Sequence, residues 1–263
     1  MPRNLKGELC TIADARPAMV NSDNGEERLS PRVRSLLLRF YPFYDPGYFG
    51  KLLISRSSPG SEVLEIGAGS GEGNQQHFDL RGRVARYTGI DCDPRVLKSP
   101  YLDEATVGRA EKLPFADESF DLVFHSFVAE HLEAPDVVNH EIARVLRPGG
   151  LLLFETPSRF YYPMLAARIT PHWFHEFYVT NFGSGRQPSD IFPTFYRLND
   201  GPTIRRQLRA CNFECEIQNI STPPGYLRFS ALSFLGGVFF ERLFERNFRA
   251  LRARIVVVAK KVS

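Results

Sequence analysis

Apolar positions along this chain recur with two periods. Between residues 62 and 155, short apolar runs of strand length (Val63-Leu64-Glu65-Ile66, Tyr87-Thr88-Gly89-Ile90, Leu122-Val123-Phe124, Leu151-Leu152-Leu153-Phe154) are separated by segments of helical spacing, such as 137–146. Strand and helix in alternation predict an α/β core, a parallel sheet with helices on both faces. The predicted strands are Glu62 to Ile66, Tyr87 to Asp91, Ser119 to Ser126 and Leu151 to Glu155. Arg147-Pro148-Gly149-Gly150 reads as the stop after the last core helix, a helix-breaking proline followed by a glycine cap.

The flanks follow other patterns. Residues 1–29 are polar and broken by Pro2, Pro17 and Gly25, which predicts a poorly ordered tail ahead of a single domain over 30–263. Ser30-Pro31 is a helix start, and Val33, Leu36, Leu37 and Phe40 recur at helical spacing behind it. A second short helix is expected from about Gly47 to Ser55, so that 30–56 forms a helical cap. Beyond Glu155 the alternation stops. Residues 156–202 hold the aromatic run Pro171-His172-Trp173-Phe174-His175-Glu176-Phe177-Tyr178 and a Gly/Ser/Pro-rich loop over 181–190, a candidate substrate-recognition insertion. Thr203 to Ala210 predicts a helix, Glu214 to Ile220 and Ala253 to Lys260 predict strands, and 230–251 is a second insertion rich in Phe and Arg.

Composition narrows the classes. A chain of 263 residues with 43% hydrophobic content is ample for one sizeable core. A net charge of +3 does not point to a nucleic-acid partner. Cys10, Cys92, Cys211 and Cys215 show neither C-x-x-C spacing nor disulfide density, which fits reduced thiols in a cytoplasmic protein. No secretory signal and no uncharged apolar run long enough to span a membrane are read in the sequence. Residues 236–263 nevertheless carry seven Lys or Arg against two Glu, a local +5 that leaves the rest of the chain at −2. That segment reads as a helix packing Phe234, Leu235, Phe239, Leu243 and Phe244 on the sheet with arginines outward. The alternative is a basic amphipathic face in peripheral contact with a membrane over 230–252.

The chemistry concentrates in the run after the first core strand, Val63-Leu64-Glu65-Ile66-Gly67-Ala68-Gly69-Ser70-Gly71-Glu72-Gly73. Glycines at 67, 69, 71 and 73 allow positive φ and close approach of a ligand to the backbone, and a helix starting near Gly73 would aim free N–H groups into the turn. A pyrophosphate reader wants G-x-G-x-x-G and a phosphate loop G-x-x-x-x-G-K-[ST]; this chain has neither. Glu65 would repel a pyrophosphate but can order a loop for a moiety bearing an ammonium group. Twenty residues after Gly71, Asp91 ends the second strand, where an acid can accept ribose hydroxyls.

In this run, followed in order by Asp91, Gly108-Arg109-Ala110-Glu111, the fourth strand and Glu130-His131-Leu132, the chain resembles the class I S-adenosylmethionine-dependent methyltransferases. The resemblance implies a Rossmann-like, seven-stranded, mostly parallel sheet whose last strand is antiparallel and inserted beside the fifth. It implies S-adenosyl-L-methionine as cofactor, with Glu65, Gly67, Ala68, Gly69 and Gly71 at the methionine part, Asp91 and Cys92 at the ribose, and Ala110 and Glu111 at the adenine. His125 would touch the methionine part or the acceptor. Ala129-Glu130-His131-Leu132 and Glu155-Thr156-Pro157-Ser158-Arg159 are similar to the ubiquinone-biosynthesis O-methyltransferases, in which a Glu-x-x-Glu-His pattern supports a divalent metal. Phe127 stands where the first of those glutamates would be, so no metal is expected.

Methyl transfer from a sulfonium is an in-line displacement in which holding the reactants in a near-attack geometry can supply about 7–11 kcal/mol. A base matters only where the acceptor must lose a proton. His125, His175 and His131 are the candidates, each weighed against a purely structural histidine. The expected acceptor is a small aromatic or hydrophobic metabolite, methylated on O, N or C. A lipid or quinone at a membrane surface and a catalytically silent cofactor-binding module are the alternatives. A base-modifying enzyme would carry Asp/Asn-Pro-Pro-Tyr/Phe where this chain has His125-Ser126-Phe127-Val128.

Overall fold

The structure is a computed structural model that describes residues 29–70, 78, 80–161, 193–224, 227, 228, 230–245 and 251–262. Helices α1 (Pro31–Phe40) and α2 (Tyr48–Arg56) precede strands β1 (Glu62–Ile66), β2 (Arg86–Asp91), β3 (Glu104–Val107) and β4 (Phe120–Ser126). Then come α3 (Pro135–Val145), β5 (Leu146–Pro157), α4 (Gly201–Ala210), β6 (Phe213–Ile220), α5 (Ala231–Glu245) and β7 (Arg254–Lys261). The predicted tail and most of the 156–202 insertion, with His172 and His175, lie outside the described residues, as does the expected helix start near Gly73.

The described strands form one seven-stranded sheet in the order β3-β2-β1-β4-β5-β7-β6. Pairs β1/β2, β2/β3, β1/β4 and β4/β5 are parallel. Strand β7 runs antiparallel to β5 on one side and to β6 on the other, the expected placement of the last strand. Strand order reverses between β1 and β4, so their carboxyl ends open the crevice where ligands bind in open α/β sheets.

Side chains alternate across the two faces. Leu64, Val123, Leu152 and Val257 pack with Val138 and Ile142 of α3 and with Ile204 and Leu208 of α4. On the other face Val63, Leu122, Phe124 and Leu153 pack with Phe49, Leu52 and Leu53 of α2. Helix α1 starts as expected, with the Ser30 Oγ accepting from Val33 N at 3.4 Å and Pro31 in the first turn. Asp200 caps α4 by accepting from Thr203 N at 2.9 Å, which begins that helix two residues before the expected start. Asn212, between α4 and β6, has φ 59°, a left-handed conformation that asparagine tolerates.

Two expectations need correction. Arg147-Pro148-Gly149-Gly150 does end α3 but lies within β5: Leu146 already pairs with Phe120, and the pairing resumes at Leu151 opposite Leu122. The four residues form a bulge, with Gly149 at φ 79°, a conformation that glycine enters freely. In α5, Phe234 is buried, but Leu235, Phe239 and Leu243 are exposed rather than packed on the sheet. The buried face of α5, Phe234 and Val238, packs instead on Val33 and Leu37 of α1. The Phe244 side chain lies outside the described residues.

Candidate active site

Strand β1 runs buried from Val63 and turns at Gly67, whose N–H donates to Ile90 O at 2.8 Å. Gly67 has φ 74° and Gly69 φ 60°, both in the region that disfavours a side chain. A Cβ at Gly67 would also collide with the Val128 side chain, which presses on the turn from the exit of β4. The loop is therefore folded back over the end of β2, against Asp91. The Asp91 carboxylate accepts from Gly69 N through Oδ2 and from Asp93 N through Oδ1, each at 2.8 Å. The backbone carbonyl of the same residue accepts from Gly108 N at 2.9 Å. Glycine loop, acid and the 108–111 turn thus meet at one point on the carboxyl edge.

The turn is itself braced. Glu111 pairs with Arg109 at 3.1 Å, and Ala110 between them is half-buried. Just beyond, Leu113 N donates to Glu141 Oε2 and Arg144 donates to Leu113 O and Phe115 O, at 2.8–2.9 Å, tying the segment to α3. Cys92 sits exposed next to Asp91, and Ala68 and Ser70 are buried in the loop. Gly71 lies outside the described residues.

Behind the loop, Glu65 is buried and its carboxyl accepts a short hydrogen bond from the Tyr87 hydroxyl. Burial pushes Glu65 up to about 8; the Tyr87 hydrogen bond opposes this, and the nearby Asp91 charge adds to it. The Tyr87 hydroxyl is raised well above its usual value, chiefly by its own burial and then by Glu65.

The histidines divide. His125 is the penultimate residue of β4, yet its side chain is in the core rather than at a mouth. Its ring stacks on Phe154 with centroids 4.6 Å apart, and neither ring nitrogen has a hydrogen-bond partner among the described residues. Burial drives its pKa down to about 3, so the imidazole is neutral and a weak base. His131 Nδ1 lies 2.8 Å from Pro193 O, while the backbone carbonyl of Glu130 accepts from Phe195 N and Tyr196 N at 2.7 and 3.2 Å. This Glu-His pair ties the 193–196 segment to the exit of β4. His175 lies outside the described residues.

A polar pair whose partnership the sequence did not announce lines the ends of β4, β5 and β7. Glu155 is fully buried, accepts from Ser126 Oγ at 2.7 Å and pairs with Arg254 Nη1 at 3.0 Å. Burial raises the Glu155 carboxyl, with the Arg254 charge opposing it. The sequence did mark one partner: Arg254 is the one charge at the head of the apolar run Ile255-Val256-Val257-Val258. Phe127, where β4 ends, has φ 53° and is exposed; its N–H donates to Glu155 O at 3.0 Å.

Residues 64–154, the stretch that builds this crevice, match the methyltransferase-domain family. Over that stretch the chain is similar to S-adenosylmethionine-dependent methyltransferase domains. Among curated relatives, malonyl-[acyl-carrier protein] O-methyltransferase 1 of Coxiella burnetii is 38% identical over 36% of this chain and 33% of the relative. The ubiquinone/menaquinone biosynthesis C-methyltransferase UbiE of Psychromonas ingrahamii is 27% identical over 62% of this chain and 70% of the relative. The chain thus spans a third of the first relative's length and just over two thirds of the second's. A solved complex of the Haloferax volcanii Trm112 methyltransferase activator with a methyltransferase matches with TM-score 0.54 at 20% identity, over 88% of this chain and 96% of that one. At that identity the likeness is one of fold. The cofactor of the methyltransferase domain's family is S-adenosyl-L-methionine.

Proposed function

We propose that this protein transfers the methyl group of S-adenosyl-L-methionine to an O, N or C atom of a small, aromatic or hydrophobic metabolite. The observation that carries the reading is the meeting of Gly69 N, the Asp91 carboxylate and Gly108 N on the carboxyl edge at the switch in strand order. The residues fit the cofactor. Each Asp91 oxygen accepts one backbone N–H and keeps acceptor capacity for a ribose hydroxyl. Glu65, held by Tyr87 behind the loop, can meet an ammonium group by giving up its proton. Ala110 and Glu111, braced by Arg109 and α3, offer the adenine a rigid edge.

When bound, the cofactor supplies an electrophilic methyl on a sulfonium, and the chain's own task is orientation and exclusion of water. Exposed Phe127 and the aromatic sequence over 171–178 are the proposed acceptor-side groups. His125, neutral and enclosed, is not proposed as the base, and His131 is proposed as a structural tie. An acceptor that loses its proton easily, or a carbon nucleophile, suits such a site.

Calorimetry with S-adenosylhomocysteine tests the reading. In Asp91→Asn the amide must turn its NH₂ toward one of the two backbone N–H donors. Affinity is expected to fall by about 1.5–3 kcal/mol, the range for hydrogen bonds to a charged group. Equal affinity in the variant contradicts the assignment. Cofactor binding without turnover on any acceptor would support a silent binding module instead.

A further inference from the structure

We propose that the outer face of α5, together with α1, docks this protein onto an anionic lipid surface. Helix α5 is apolar on both sides. Phe234 and Val238 face α1, while Leu232, Leu235, Phe239 and Leu243, spaced by three, four and four residues, form an outward stripe. Leu232 is 82% and Phe239 71% exposed, so no other described residue covers the stripe at these two positions. A helix of a water-facing surface places its polar residues outward. Here the reverse holds: Glu241 is buried, accepting from the hydroxyls of Tyr41 and Tyr161, and the leucines and phenylalanine are outside.

Charge names the occupant. Among the described side chains of α1 and α5, the exposed charges are Arg32, Arg34, Arg39 and Arg242, with no acid beside them. Arg39 and Arg242 both lie over the Phe40 ring, 5.9 and 5.4 Å from its centroid, at the seam between the two helices. Guanidinium groups on long stems beside an apolar stripe match an interface with acyl chains below and phosphates at the rim. A second copy of this chain would set these arginines against one another without counter-charge. The described part of α5 has 15 residues, roughly 22 Å at the α-helical rise, and no helix among the described residues is long and apolar enough to cross a membrane. The mode is therefore to lie on the surface, and it does not depend on the methyl-transfer reading.

The test is co-sedimentation of the full chain with vesicles of phosphatidylcholine alone or mixed in equal parts with phosphatidylglycerol, at low and physiological salt. Binding is expected to the mixed vesicles, weakened by salt and by Arg39→Gln, and at least roughly tenfold weaker in Phe239→Ser. Leu232→Gln, exposed and remote from the buried face, repeats the test should Phe239→Ser melt early; S-adenosylhomocysteine binding by the variants checks that the core is intact. Three results would overturn the proposal: no binding to either vesicle, binding indifferent to both substitutions, or a dimer in sedimentation equilibrium that either substitution disperses without any vesicle binding.

Discussion

Gly67 combines two constraints, a φ of 74° and the Val128 side chain packed where its Cβ would stand. Gly67→Ala is expected to cost about 1–2 kcal/mol for the left-handed backbone alone, and more for the collision. A double-mutant cycle with Val128→Ala should recover the steric part and leave the backbone part, a separation that urea unfolding reads directly. His125 gives a pH prediction. Its folded pKa of about 3 lies below the value near 6.5 of an exposed imidazole, so the unfolded chain binds more protons between these limits. Stability on this account is full above about pH 6.5 and is lost as pH falls toward 3. His125→Phe, which keeps the stack on Phe154, should flatten that acid limb relative to the unaltered protein; parallel limbs would rule the buried neutral imidazole out. The spacing of Asp91 after the glycine run was readable from the sequence, whereas its bond to Gly69 N was not, because the left-handed turns that bring them together involve only backbone. The burial of His125 was equally hidden. A central parallel strand is enclosed on both faces, so a polar residue near its end gives no sign of whether it faces a cleft or a phenylalanine.

Among the elements, β1, β2, β4 and β5 were legible because each is an apolar run bounded by turn residues, and their order fixed the crevice. The bulge in β5 was not, since proline and two glycines read as punctuation whether a strand begins after them or encloses them. The pairing of β5 with β7 carries the third prediction. Arg254→Met would leave Glu155 buried without its cation, a loss of about 3–5 kcal/mol for breaking a buried pair from one side. Because burial already raises the Glu155 carboxyl, protonation offers relief, and the deficit should shrink as the solution is acidified. Replacing both partners, Glu155→Leu with Arg254→Met, should recover most of the loss. Guanidinium unfolding at neutral and mildly acidic pH distinguishes these outcomes. Helix α5 illustrates the limit of periodicity: with apolar residues on two faces, spacing alone could not tell which face α1 covers.

Across the whole molecule, helices far apart in the sequence meet. Tyr41 donates to Glu241 two hundred residues away, and α1 packs on α5 through Val33, Leu37, Phe234 and Val238. No local pattern announces such a pairing, since it depends on where the sheet returns the chain. The parallel core, by contrast, follows from the alternation of elements, and the sheet order sets the glycine loop, Asp91 and the 108–111 turn around one crevice. On the proposed function, this crevice holds the adenosyl group. A crystal structure of the complex with S-adenosylhomocysteine tests it most directly. Ribose hydroxyls are expected on Asp91, the amino-acid moiety over Gly67–Gly69 in front of Glu65, and adenine against Ala110 and Glu111. Ligand density elsewhere on the molecule, with no ligand atom on the Asp91 carboxylate, would rule this out.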